Sequence, residues 1–468
     1  MTFAVKRADN TRQILEGNLL RAMLSIAVPV VVNSFLQTLY NLTDTYWLGQ
    51  IGKEPLAAIN LVTPVQNIVI GFGGGLTVAT AVMVSQYIGA RMQTEARRMA
   101  NQIFACAMGF SLLCAGALAA VTPLLVSWLG ANGETYRHAV SYLRIAITDM
   151  PFLFIVNLYQ AVRQAQGDTV RPVALNLLGI AVNMILDPVL MVVWRLGAAG
   201  AALATVLAKG VPAAIALVLL SRRDELTRLN VRLMKPEREN LRAIVRIGLP
   251  TALGGSTMQL GFLLMSRSVY AYGVDAMAAY GIGNKVNGLI SLPSNAIGSA
   301  VSTIVGQNMG ARQPQRAWQC YRVASVASVA FLFVGGLILS RPAVSTAIVS
   351  IFSNDASVIG MAADFLSIMA FWCWTNGIYN AATGLFQGAG HTQVTMAVSA
   401  SRLWVFRFAT LYVCEHMLNM GVRSVWYSVV VSNGISTVLL FALALSGLWR
   451  KNRLRLNEDQ ACAQNHPS

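Results

Sequence analysis

Apolar runs of about twenty residues, the length needed to cross a bilayer, recur along almost the whole of this 468-residue chain. We read about twelve such spans, at roughly 22–48, 57–88, 99–121, 138–162, 172–194, 198–220, 243–270, 278–306, 319–340, 359–383, 393–413 and 424–448. The runs are continuous. A transmembrane barrel would alternate apolar and polar residues, so the expected fold class is an all-α integral membrane protein. Charged residues make up 12% of the chain, against about 25% in a soluble domain. Lipid is therefore the expected solvent for most of it.

The net charge of +16 is distributed by topology. Positive residues gather in alternate connections: Lys6, Arg7, Arg12 and Arg21 before the first span, and Arg91, Arg97 and Arg98 after the second. Arg163 and Arg171 follow the fourth, Arg222 to Arg246 the sixth, Arg312 and Arg316 the eighth, and Arg450, Lys451, Arg453 and Arg455 the last. The positive-inside rule then places both termini in the cytoplasm, in agreement with an even number of spans. The pattern speaks against a nucleic-acid partner. The first apolar segment is too long for a cleavable signal peptide and lacks a small-residue cleavage site. These features suit a multi-pass protein of a cytoplasmic (inner) membrane. Cys106, Cys114, Cys320, Cys373 and Cys414 lie in or beside spans, and their spacing fits neither zinc nor a disulfide framework.

The chain is written twice. "VSQYIGAR" at 84–91 returns as "VGQNMGAR" at 305–312, an offset of 221. The same offset carries Pro29 onto Pro250 and Gly52 onto Gly273, and "QGDT" at 166–169 meets "AGHT" at 389–392 with an offset of 223. Each repeat holds six spans, an even number, so the repeats enter the membrane from the same side. Such parallel repeats are typical of secondary transporters. We therefore expect two pseudo-symmetric six-helix lobes, residues 1–220 and 243–468, joined by a basic cytoplasmic linker at 221–242. With its pathway inside one chain, the protein is expected to work as a monomer. No phosphate-binding G-x-x-x-x-G-K-[ST] loop and no His-Glu-x-x-His or G-x-S-x-G motif is present in the sequence, so an ATP-driven pump and an enzyme both lack a seat.

The repeats differ where chemistry is expected. Asn33, Gln37, Asn41 and Asp44 lie at steps of four, four and three, one face of a helix. Shifted by 221 they become Gly254, Met258, Phe262 and Met265. In the fifth span Asn176, Asn183 and Asp187 share a face; shifted by 223 they become Ser399, Phe406 and Thr410. The two embedded carboxylates therefore belong to the first repeat. Intramembrane carboxylates are costly unless they face a cavity or a partner. Two near one another share a proton or bind a cation, which makes Asp44, Asp187 and Asn183 candidates for a proton or Na⁺ site. The alternative is a helix cap or a helix–helix hydrogen bond, most natural for Asp187 beside Pro188. Thr205 is a candidate hydroxyl for the same site. Asp149, with Arg144 five residues earlier, is either a third titrating group or half of a local ion pair. Lys285, Arg402 and Arg407 are intramembrane cations of the second repeat, read as counter-charges, gating locks or snorkelling side chains. Met258, Phe262, Met265 and Tyr379 suit a broad apolar substrate pocket, to which Asn33, Asn157, Gln160 and Asn176 are candidate polar contributors.

Twelve spans in a doubled unit, "LGQIGKEPLAA" after the first span, "GAR" after the second and eighth, and "QGDT" after the fourth resemble the multidrug and toxic compound extrusion (MATE) family over nearly the whole chain. The resemblance implies two lobes forming a V around a central cavity. It also implies multidrug efflux, and with it antibiotic resistance, by antiport of small organic, often cationic, compounds against H⁺ or Na⁺, with no other cofactor. Within the family the chain is similar to the DinF-like branch. Its coupling site matches Asp44, Asn183 and Asp187, with Gln37 and Thr205 as further polar members; Asn41, on the same stripe as Asp44, is a candidate beside them. The glutamate that other branches carry in the seventh span is absent from "LPTALGGSTMQLGF". The rival reading is a lipid-linked or oligosaccharide flippase with a more cationic cavity.

Overall fold

The structure, a computed structural model, describes residues 3–51, 53–222 and 228–451. An amphipathic helix α1 (Phe3–Glu16) precedes the first span. The expected spans then appear as helices: α2 (Leu19–Ile51), α3 (Lys53–Gly89), α4 (Gln93–Trp128), the paired α5 (Gly133–Ala146) and α6 (Met150–Ala165), α7 (Val170–Pro188) and α8 (Gly197–Ser221). The second repeat supplies α9 (Arg238–Tyr270), α10 (Val274–Gly310), α11 (Pro314–Leu339), a short α12 (Pro342–Val349), α13 (Ala356–Trp372) with α14 (Trp374–Gly388), α15 (Thr392–Ser401) with α16 (Phe408–Tyr412), and α17 (Arg423–Leu445). Among the described residues nine segments are long and apolar enough to cross a bilayer, and α13 with α14, bent by 53°, makes a tenth. The other two of the twelve are α9, whose apolar residues are interleaved with Gly, Ser, Thr and Gln, and the α15–α16 segment, which carries Arg402 and Arg407 at its centre. Large apolar side chains line the outside, among them Leu113, Leu124, Trp128 and Val326, all more than 70% exposed. Such a surface belongs in lipid.

Backbone geometry repeats with the sequence. Arg91 (φ 61°) and Arg312 (φ 58°) both occupy the left-handed region, 221 residues apart, each just past a helix end. The next amides close the turns, Met92 N on Tyr87 O at 2.9 Å and Gln313 N on Asn308 O at 2.8 Å. Gly167 pairs in the same way with Gly390, Arg195 with Asn419, and Gly197 with Gly421. A π-helical turn at Val189–Val193 has its counterpart at Val413–Met417. Repeated "GAR" and "QGDT"/"AGHT" motifs are thus repeated helix stops.

The chain divides into two compact units, residues 1–11 with 29–252, and 12–28 with 253–468. This partition differs from the sequence boundaries at 220 and 243: the cuts fall inside α2 at Pro29 and inside α9 just beyond Pro250, the two prolines matched by the repeat. In the first unit, part of the linker is held on α4. Arg97 Nε and Asn101 Nδ2 each donate to Arg228 O at 3.1 Å, Asn101 Oδ1 accepts from Asn230 N at 2.7 Å, and Arg98 pairs with Glu237. Residues 223–227 of the expected linker lie outside the described residues, as do Gly52 and the tail from 452. The second unit is built around Phe365, Trp426 and Tyr280. The Phe365 and Trp426 rings stack at 4.4 Å, and Gly283 admits Phe365 where a Cβ would lie 2.1 Å from its ring. The five cysteines within the described residues are free.

Candidate functional site

In the first unit three helices converge on a buried polar cluster. α2 brings Tyr40 and Asp44, four residues apart and so on one face; α7 brings Asn183 and Asp187, again four apart; α8 brings Thr205. Asp187 is 0% exposed and Asn183 1%. The Asp44 and Asp187 side chains hydrogen-bond to each other. With its amide turned to match its neighbours, Asn183 donates to Asp187 Oδ2 at 2.8 Å and to Tyr40 Oη at 3.2 Å, and its oxygen accepts from Thr205 N at 3.3 Å. The Thr205 hydroxyl lies beside that of Tyr40 and donates to Ala201 O at 3.0 Å. Tyr142, from α5, lies within electrostatic reach of both carboxyls. The cluster is a closed set of oxygen donors and acceptors around two acids, a geometry fit for one shared proton or for a hard cation with oxygen ligands.

Gly179 helps to build it. A Cβ there would come within 2.9 Å of Ala208 O, so this glycine lets α7 lie against α8 and bring Asn183 to Thr205. Of the expected coupling residues, Asp44, Asp187, Asn183 and Thr205 meet. Gln37 and Asn41 are exposed and face one another at 3.5 Å. Tyr40 and Tyr142 escaped the sequence reading. Tyr40 carried a usable signal, its position one turn before Asp44; Tyr142 carried none. Asp149 does not pair with Arg144, as the sequence spacing suggested. It forms an ion pair with Lys209 of α8, 8% and 31% exposed respectively, because a 3₁₀ turn at Ile147–Asp149 ends α5 and aims the carboxylate at α8.

The substrate candidates separate. Asn176 Nδ2 donates to Gln160 Oε1 at 3.3 Å, both half-buried, with Asn157 one turn before Gln160 on α6. Asn33 Oδ1 is buried without a hydrogen-bond partner among the described residues. In the second unit Met258, Phe262 and Tyr379 gather about two arginines. Arg402 lies over the Tyr379 ring at 4.5 Å and its Nη2 is 3.8 Å from Met258 Sδ; Arg407 is 5.8 Å from the Phe262 ring. Met265 departs from the expectation of a pocket wall. It is 0% exposed and packed in the Tyr280–Phe365–Trp426 core, one turn beyond Phe262 and two beyond Met258 on the same helix. Lys285 is exposed on α10.

The sequence matches the MatE family over residues 29–189 and 250–413, one match in each repeat. A curated relative, the multidrug export protein MepA of Staphylococcus haemolyticus, is 24% identical over 446 residues, covering 95% of this chain and 96% of the relative. Among solved structures, a MATE protein crystallised in a straight conformation superposes with a TM-score of 0.88 at 23% identity, covering 93% of this chain and 97% of that one. A MOP superfamily transporter from Pyrococcus furiosus, for which a reversed polarity of the binding pocket is described, superposes with a TM-score of 0.84 at 25% identity over 93% of this chain and 98% of that one.

Proposed function

The chain belongs to the MatE family of membrane transporters, and on that premise we propose that it exports small organic compounds, many of them drug-like cations, by antiport against H⁺ or Na⁺ across a cytoplasmic membrane. Both termini lie in the cytoplasm and one chain suffices for transport. The name of its Staphylococcus haemolyticus relative, a multidrug export protein, supports the substrate breadth. The observation that carries the coupling is the hydrogen-bonded pair of Asp44 and Asp187 within the Asn183–Tyr40–Thr205 cluster.

The mechanism follows from charge. Two carboxyls in contact inside a membrane are unstable when both are ionised. A proton or Na⁺ arriving from outside neutralises the pair and draws α2 to α7 and α8. Pro29 leaves α2 short of one backbone hydrogen bond, so the helix bends there at low cost. Drug affinity falls in the bent form and the drug leaves; release of the cation to the cytoplasm resets the pair. Cation and drug must then weaken each other's binding by the same factor.

The deciding experiment is efflux of a fluorescent organic cation from proteoliposomes, with pH and Na⁺ gradients imposed separately on wild type and Asp44→Asn. One gradient driving efflux in the wild type and neither in the variant supports the reading. Indifference of the wild type to both gradients, or full activity of the variant, sinks it.

A further inference from the structure

Arg402 and Arg407 are five residues apart on a π-helical turn spanning Arg402–Arg407. On an α-helix residues so spaced diverge by about 140°. The wider π turn, with its i→i+5 bonds, swings them toward one side. Among the described residues the first repeat has no such turn: Gly179 and Met184 occupy the matching positions in regular α7. Gly261 lets α9 approach this turn so closely that a Cβ would lie 2.0 Å from Leu403 Cδ2. That contact sets Met258 and Phe262 against the two guanidinium groups.

Arg402 lies ten residues from Thr392 and Arg407 ten residues from Met417, the two ends of this helical segment. Each arginine is therefore about 15 Å from its nearer end and about 22 Å from the other, in the middle part of a bilayer whose hydrocarbon is about 30 Å thick. Arg407 is 4% exposed. Its Nε donates to Ser432 Oγ and its Nη2 to Asn433 Oδ1, each at 3.1 Å. It is thus tied to α17 and does not snorkel. Among the described residues, Arg402 lies over the Tyr379 ring and points an Nη2 at the Met258 thioether. The two guanidinium groups are near enough to repel one another.

No described carboxylate forms an ion pair with either arginine. The described acids of this unit are engaged elsewhere: Glu16 with Arg12, Asp275 with Ser357, Asp355 at the cap of α13, Asp364 with Arg423 and Glu415 with Tyr272. Tyr280, within electrostatic reach of Arg407 and 3% exposed, has a hydroxyl with no hydrogen-bond partner among the described residues. Two like charges at the membrane midplane are costly unless something neutralises them. An oxyanion does so best, because each planar fork donates two parallel hydrogen bonds to carboxylate or phosphate oxygens.

We infer that Arg402 and Arg407 form a binding site for the carboxylate or phosphate group of an amphiphile, whose apolar part lies on Met258, Phe262 and Tyr379. The site gives the second unit a substrate class of its own, anionic or zwitterionic amphiphiles. It stands whichever ion drives transport.

The test is equilibrium binding to the full-length protein in dodecyl maltoside, where no gradient exists and the coupling reading plays no part. Hexyl phosphate and hexyltrimethylammonium are titrated against wild type and Arg402→Gln, a half-buried position. Saturable binding of hexyl phosphate that weakens about tenfold in the variant, the loss of one charged contact, supports the site, provided hexyltrimethylammonium is unaffected. Arg407→Lys, which keeps the charge and loses the fork, is expected to fall between the two. Wild type that does not saturate with hexyl phosphate, or Arg402→Gln that binds it equally well, overturns the inference. Added phosphatidylglycerol identifies the source of the anion. Competition in wild type but not in Arg402→Gln makes it a lipid headgroup; absence of competition alongside saturable hexyl phosphate binding makes it a non-lipid solute.

Discussion

The fifth span of each repeat has one ancestor pattern and two opposite chemistries. In the first unit α7 carries Asn183 and Asp187 into a cluster with Asp44, and every charged group there has a polar or charged partner. In the second unit the same face reads Phe406 and Thr410, and a π turn absent from α7 presents Arg402 and Arg407 to neutral neighbours. The helix stops on either side are nearly superimposable in backbone angle. Divergence has therefore left the frame alone and reversed the sign of the buried charge. A doubled transporter can specialise its halves in this way because each half's fold depends on turns and small-residue contacts that the polar positions do not touch.

The largest effect expected from breaking this contrast is on Asp187. Asp187→Asn keeps the shape and removes the second acid, so gradient-driven efflux should fall by up to about 150-fold, the upper end of typical coupling. Equal efflux in reconstituted vesicles would relegate Asp187 to a helix cap. Next comes the ion pair. Asp149→Asn leaves Lys209 without its partner, and thermal unfolding should report a loss of roughly 2 kcal/mol, below the range for fully buried pairs because Lys209 is 31% exposed. The double variant with Lys209→Met should recover most of it.

Tyr40→Phe removes the acceptor of the Asn183 amide, at about 1 kcal/mol. Gradient-driven efflux should drop about fivefold, and the melting midpoint should fall by no more than a few degrees. The second unit should answer in the opposite sense. Arg407→Met discards a buried charge with no carboxylate beside it, and the melting midpoint should rise by a few degrees, about 1 kcal/mol; a fall would show that the bonds to Ser432 and Asn433 outweigh the desolvation of the charge.

The smallest effect concerns Tyr272, which donates to Glu415 where the first repeat has Met191. Burial and the neighbouring carboxylate push the Tyr272 hydroxyl up from 10 to about 12. A raised folded value means the bond's contribution is complete below pH 10 and is lost as pH rises from 10 to about 12. Tyr272→Phe should therefore melt slightly lower than wild type at neutral pH and converge with it in strong alkali.

Much of this was legible beforehand. Helix number and repeat follow from span length and from "GAR" and "QGDT", because lipid allows few backbone solutions and a helix stop is a local event. Asp44, Asn183 and Asp187 were legible because periodicity places residues on faces. Tyr142 was not, since nothing local says that α5 packs against α8. Met265 shares a helix face with Met258 and Phe262, which meet the arginines, yet it packs in the Tyr280–Phe365–Trp426 core; periodicity gives the face but not what packs against each turn of it.

The sequence by itself settled that this chain is a doubled, twelve-span helical membrane protein with the embedded carboxylates Asp44 and Asp187 both in the first repeat. Those properties are written in one dimension, as run length, offset and residue type. Only the tertiary structure decided that Asp149 belongs to Lys209, that Tyr40 closes the acid cluster, and that Arg402 and Arg407 stand together without an acid. Partnership between side chains on different helices depends on helix rotation and close approach, here through Gly179, Gly261 and the π turn. No single helix encodes these relations.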